Sequence, residues 1–248
     1  MNASRIGSVF VVVLAVLVSG PSVAERLSSE QIAQRLAAGT TDFSDLEAPG
    51  ANLSGMNFAG ANLFGAHLQG ANLSKANLAR CNLNVAILRD ATLTNADLHD
   101  AQLFSSVLAN ADLSGANLRN ARVMGNFERA NLEGANLEGV KGGADMRNQP
   151  MGLIRLVLTG AQLKKAKLRG ADLFRADLSY ADLRGADLTD VNLTRVRLVG
   201  VDFTGATLTR TNFDGAEIHN AIFKEVVDLQ TARGLDSAEG RDDAIFDR

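Results

Sequence analysis

The chain has 248 residues, 46% of them hydrophobic and 21% charged, with 25 Lys and Arg against 28 Asp and Glu and a formal net charge of −3. This content is enough to fill a core and excludes a low-complexity disordered chain, while the mild charge gives solubility without a nucleic-acid-binding field. The one cysteine, Cys81, excludes an intramolecular disulfide framework.

Residues 1–24 read as an address. Arg5 supplies a positive start, Val9 to Val18 an apolar run too short to span a bilayer comfortably, and Ser22-Val23-Ala24 small residues at a cleavage site. Cleavage after Ala24 and export to the periplasm or beyond are expected; the alternative is retention of the segment as an N-terminal anchor. Residues 25–48 read as an N-terminal cap. Ser28 and Gln31 have capping-box spacing, Ile32 and Leu36 share a helix face, and Gly39 suits the end of a short helix from about Ser29 to Ala38. Such a helix is marginal alone, so its role is to cover the open edge of whatever follows.

From Ala51 the chain changes character. ANLSG MNFAG ANLFG AHLQG ANLSK ANLAR repeats every five residues, as do AQLKK AKLRG ADLFR ADLSY ADLRG ADL from Ala161 and VDFTG ATLTR TNFDG AEIHN AIF ending at Phe223. Five is the period of neither a helix nor a plain strand. With the central Leu as position i, Ala dominates at i−2 and Asn or Asp at i−1, and no charged residue stands at i or i−2 anywhere in the array. Cys81 holds an i−2 position and is expected inside as a small hydrophobe. Two inward side chains separated by one outward residue make an extended segment. The last two residues, often Gly, Ser, Asn or Asp, turn a corner. Four such sides close a square coil of about 20 residues, and coils stacked at strand spacing, ~4.8 Å, make a rod about 40 Å long. A single coil cannot bury enough to stand alone, so stacking stabilises the array.

The A(N/D)LXX pattern resembles the pentapeptide-repeat family over about 170 residues, counted on the sequence itself. The resemblance implies an all-β fold, a right-handed quadrilateral β-helix whose i and i−2 side chains fill the interior, here with the short N-terminal capping helix. Some relatives in that family dimerise through a terminal edge, and some mimic DNA and protect topoisomerases.

The array, residues 49–225, loses one residue of period between Val123 and Phe127 and is disturbed again from Val140 to Pro150. There VKGG reads as four inserted residues, ADMRN as a returned repeat and Gln149-Pro150 as two more, so an outward loop is expected near 140–150. After Phe223 the period disappears, and residues 226–248 read as a C-terminal cap or tail, with a dimerisation edge as the alternative.

No enzyme is expected. The histidines His67, His99 and His219 have no metal-ligand spacing, and no Ser-His-Asp order, phosphate-binding loop or dinucleotide fingerprint occurs, so neither metal nor cofactor is expected. Asp172, Asp177, Asp182 and Asp187 fall on four different sides and read as solvated faces. Function must lie on the surface. Residues 20 apart should stack, which places Phe64 and Phe104 in one column, Lys164, Lys165 and Arg184 on one side of the second half, and Arg175 above Arg195 on another. These columns suit a non-enzymatic scaffold or binding module of the cell envelope with a protein or glycan partner. The competing function, a DNA mimic, needs a continuous acidic surface. The array carries six acids and six bases from Ala51 to Leu137, and eight and nine from Leu156 to Phe223. That balance argues against the mimic, and the absence of a groove with converging acids argues against a polysaccharide-cleaving β-helix.

Overall fold

One repeat forms one side of a coil because its two inward residues flank a single extended residue. In a computed structural model, which describes residues 26–144 and 154–247, that middle residue makes a parallel bridge to the residue 20 positions on. Asn52 bridges Asn72, Asn72 bridges Thr92, and Thr92 bridges Asp112. Each bridge carries two ladder bonds: Leu53 N–H donates to Asn72 C=O at 2.7 Å and Asn72 N–H to Ala51 C=O at 2.9 Å. The corner closes when the next i−2 amide donates back to the Leu carbonyl, as from Met56 to Leu53 at 3.2 Å. Position i+2 then adopts a left-handed conformation, φ 67° at Gly55 and 57° at Lys75, which favours but does not require glycine. The four sides follow in chain order through Asn82, Ile87, Thr92 and Asp97.

The core is one continuous column. Leu63, Leu93, Leu163 and Leu193 are fully or almost fully buried with the alanines of their repeats, and Cys81 is buried as a free thiol whose Sγ lies 2.9 Å from the Phe58 carbonyl oxygen. Burial pushes that thiol up to about 11. Phenylalanines fill the two ends. Phe43 and Phe58 meet edge to face at 5.7 Å, while Phe203, Phe223 and Phe246 stack at 4.9 Å spacings. At the N-terminal end helix α1, Ser29–Ala37, carries a complete Ser28–Gln31 capping box, and Ile32 drops into the core. Gly39 follows with φ 83°.

The missing residue after Val123 has a local structural answer. Strand β1, Gln102–Val107, pairs in parallel with β2, Arg122–Asn126, and a bulge at Ser105 lets six residues face five. β1 keeps the left-handed corner residue, φ 56° at Ser105, whereas β2 has lost it and Gly125 is near extended, φ 158°. Gly125 lies so close to Ser106 that a Cβ would run into the Ser106 carbonyl oxygen and amide nitrogen.

The disturbance after Leu137 begins later than the sequence suggests. Val140 and Ala144 are buried, Lys141 bridges both Arg122 and Asp172, and Gly142 N–H donates to Asp172 C=O at 2.8 Å. VKG is therefore a further side with Gly142 in the Leu position, not an insertion. A Cβ at Gly142 would lie 2.8 Å from the Leu156 side chain, which shows that Leu156 fills the space a central Leu would take. Across the excursion the bridge offset widens to 31, as in Asn126 to Val157. Residues 145–153, and with them most of the ADMRN and Gln149-Pro150 readings, lie outside the described residues, as does the segment 1–24.

The C-terminal segment also departs from expectation. It is another coil, built of six-residue sides. Val227, Arg233 and Glu239 bridge Thr207, Asn212 and Glu217, and β3, Ile222–Phe223, pairs with β4, Ile245–Phe246. Three short 3₁₀ turns, Leu229–Thr231, Leu235–Ser237 and Arg241–Asp243, take the extra residues. Ala232, Ala238 and Ala244 turn inward between them and pack against the core.

Candidate functional site

The i−1 residue, read from sequence as simply outward, braces the corner wherever it is Asn or Asp bonded to the backbone. Its side-chain oxygen accepts the i+1 amide, as Asn72 Oδ1 accepts Ser74 N–H at 3.0 Å and Asp172 Oδ1 accepts Phe174 N–H at 3.1 Å. This Asx turn explains why Asn and Asp dominate the position. Their spare atoms then reach along the column: Asn72 Nδ2 donates to Asn52 Oδ1 at 3.2 Å, and Asn82 Nδ2 to Asn62 Oδ1 at 2.9 Å.

Asp172, Asp177, Asp182 and Asp187 do stand on four successive sides, each in its own bridge column. Asp177 is not solvated, however. It is 6% exposed and accepts from the Ser179 hydroxyl at 2.7 Å, while Arg197 Nη1 lies 3.2 Å and Arg155 Nη2 3.8 Å away. Asp182 is held below the usual carboxylate range by hydrogen bonds from the Arg184 guanidinium, at 2.8 and 2.6 Å.

The five surface residues singled out from the sequence divide between opposite sides. Phe64 and Phe104 share the first side, 43% and 36% exposed, with Asn84 between them and exposed Val85 beside it. The Phe104 amide donates to Asn84 Oδ1 at 2.8 Å, which fixes the column's spacing. Lys164, Lys165 and Arg184 come together on the third side around a shallow depression with Gly185. Acids offset this cluster: Lys164 lies 3.4 Å from Asp182, and Arg184 contacts Asp182 and Asp202. The fuller concentration of positive charge is elsewhere. A groove of about 400 Å³ at the corner between first and second sides is lined by Arg155, Arg175, Arg195, Arg197, Gly215 and Glu217. The stacking of Arg175 and Arg195 was legible; the inclusion of Arg155 depends on the excursion and was not.

His99 Nδ1 meets Asp97 at 2.9 Å, His67 Nδ1 meets Glu47 at 2.7 Å, and His219 Nδ1 meets Asp243 at 2.7 Å. These pairs stand in different columns. Among the described residues no cluster of three or more His, Cys, Asp or Glu could hold a metal, and no helix is long and apolar enough to cross a membrane.

Solved structures similar to the chain include HetL, a pentapeptide repeat protein involved in heterocyst differentiation regulation in the cyanobacterium Nostoc sp. PCC 7120. It is 29% identical, with 88% of this chain and 94% of that one covered and a TM-score of 0.41. Full-length QnrB1, a plasmid-mediated fluoroquinolone resistance protein, is 18% identical over 91% of this chain and 90% of its own, at a TM-score of 0.39. Scores this low carry no argument about function. No curated protein matches the chain. The model of pentapeptide repeats matches in 8 copies, over residues 41–80, 71–108, 86–125, 96–141, 157–195 and 186–225. The spacing, the buried Leu columns and this match over more than half the length agree: the chain belongs to the pentapeptide repeat family.

Proposed function

We propose that this protein, a right-handed quadrilateral β-helix, is a non-enzymatic scaffold or binding module of the bacterial cell envelope that recognises a protein or glycan partner through its flat sides. The observation that carries the reading is the exposure of Phe64 and Phe104 in one fixed column with Val85 beside it, since large apolar side chains held on a rigid surface suit partner contact. Pentapeptide repeat proteins are in general structural or binding proteins. The address-like segment 1–24 supports export and an N-terminus at Glu25.

The runner-up is a DNA mimic that protects a topoisomerase, a role that some pentapeptide-repeat proteins hold. Its requirement for an unbroken acidic face is unmet where Asp177, Asp182 and Asp190 are each engaged by arginines. Mass spectrometry of the protein from its host's periplasmic fraction should give Glu25 as the first residue. A supercoiling assay should show no inhibition of gyrase at sub-micromolar protein, by the order of affinity a mimic needs. Intact Met1 in the cytosolic fraction together with inhibition would replace this reading with the mimic.

A further inference from the structure

The groove at the corner between the first and second sides has a charge arrangement that the fold itself does not need. Arg155, Arg175 and Arg195 stand on consecutive rungs, and Gly215 occupies the next. Arg197 flanks them. The buried Asp177 carboxylate draws Arg155 and Arg197 together, and Glu217 meets Arg197 at 3.1 Å. Four guanidinium groups thus face two carboxylates. Arg175 and Arg195 form no ion pair among the described residues.

Arg175 stands out further. Its Nε is the one buried side-chain nitrogen or oxygen without a hydrogen-bond partner among the described residues. A buried donor of this kind calls for an acceptor. The corner backbone gives no reason for arginine here: φ is 61° at Arg175 and 56° at Arg195, and the same column uses glycine at Gly215, φ 63°.

We infer that this arginine column is the binding site for an acidic polysaccharide whose sugar carboxylates dock along the solenoid axis. Guanidinium forks match carboxylates in bidentate geometry. The rungs repeat at strand spacing, ~4.8 Å, whereas an extended acidic peptide presents same-face side chains at ~6.6 Å and runs out of register. Single-stranded nucleic acid needs open aromatic faces for its bases. The ring available here, Phe174, already carries the Arg175 guanidinium at 5.4 Å. A ribbon of linked pyranose rings is rigid and carries successive carboxylates on opposite edges, so those on one edge recur every second ring, close to two rungs of the ladder, ~9.6 Å, and keep register along it.

This inference narrows the partner-binding role proposed above to one face and one ligand chemistry, and it is tested without reference to compartment. A short mannuronate oligomer is titrated into the full chain at about 0.15 M ionic strength, where the Debye length is about 8 Å, with neutral dextran, inorganic polyphosphate and oligothymidylate as separate probes. The mannuronate should bind, and more tightly than the other three. The double variant R175G/R195G, which installs the residue the column already uses at Gly215, should weaken it roughly tenfold or more. K164Q/K165Q removes the same charge from the opposite corner and should leave binding within about twofold, since a screened charge that far away contributes little. A melting curve for each variant separates lost binding from lost folding. No mannuronate binding, equal weakening by the two double variants, or tighter binding of polyphosphate or oligothymidylate would each overturn the assignment. Capture of a protein partner through Phe64 and Phe104 would still stand in any of those cases, so the two readings fail separately.

Discussion

The two halves of the solenoid turn the same corner with different chemistry. Before the excursion the i−1 position is mostly asparagine, and amides donate from rung to rung, as Asn72 to Asn52 at 3.2 Å and Asn82 to Asn62 at 2.9 Å. After it, aspartate takes over. Asp177 and Asp187 draw in the hydroxyls of Ser179 and Thr189, and Asp182 draws in Arg184. The corner itself needs only an acceptor for the i+1 amide, which both residue types supply. What differs is the second polar atom. An amide NH₂ satisfies the neighbouring rung without charge, whereas a second carboxylate oxygen must recruit a hydroxyl or a cation. The first half is therefore held by neutral ladders and the second by ionic ones.

The largest expected effects come from what the halves share. Leu93→Asp and Leu183→Asp each place a charge at a fully buried centre with no partner in reach. Both should destabilise by more than ~4 kcal/mol in urea unfolding. A half that tolerated the change would show that the core is not continuous through it.

Next comes the point where the period fails. Gly125→Ala should cost more than ~1 kcal/mol, because its Cβ has no room against the Ser106 backbone. Gly70→Ala is the control: φ is 64° but nothing stands within 4 Å of the new Cβ, so only the left-handed conformation opposes it. Equal melting temperatures for the two variants would mean that the bulge relaxes to admit a methyl group.

The difference between halves is sharpened by salt. Asn82→Ala removes a corner bond at 3.2 Å and a ladder bond at 2.9 Å, a loss of about 1–2 kcal/mol that salt should not change. Arg184→Gln removes exposed contacts to Asp182 and Asp202. Its effect on the melting temperature should be smaller and should vanish at high ionic strength. If both variants respond alike to salt, the contrast between amide and ionic columns is not energetic.

The five-residue period made most of this architecture readable, because one inward pair and one corner recur without regard to what the outer residues do. Ser28 and Gln31 announced α1 for the same reason: capping chemistry is local. Three features escaped. The final coil was invisible to a search at five, although Ala232, Ala238 and Ala244 recur at six, with Gly234 and Gly240 at left-handed corners. Gly142 hid a side of the coil, because its missing Leu is supplied by Leu156 from beyond the excursion. The approach of Arg155 to the buried Asp177, at 3.8 Å from the rung below Arg175, follows from the length of the excursion and no local pattern encodes it. At the surface, 20-residue stacking gave the Phe64 and Phe104 column and the side shared by Lys164, Lys165 and Arg184, and the bridge columns place the two on opposite sides of the coil.

The smallest expected effect concerns how that six-residue coil is fastened. His219, on the last regular coil, meets Asp243 at 2.7 Å and Glu239 at 3.9 Å, and Glu217 adds its negative field from the same coil. The hydrogen bond to Asp243 is the main cause that holds the imidazole above its ordinary value, with the surrounding carboxylates adding to it. A group whose folded value is raised contributes stability that is complete below its unfolded value, about 6.5 for histidine, and is lost as pH rises through the folded value. The final coil should therefore be held more firmly near pH 6 than near pH 8.5, within the range where histidine titrates. The Ile245 amide, which donates to Ala221 C=O at 2.8 Å across the same junction, is the reporter. Its hydrogen-exchange protection factor should fall over that pH interval, while the Leu93 amide inside the rod stays constant. His219→Gln should remove the dependence, since glutamine can still reach Asp243 but carries no proton to lose. A fall that persists in His219→Gln would place the titrating group elsewhere and leave the His219–Asp243 contact without a part in closing the rod.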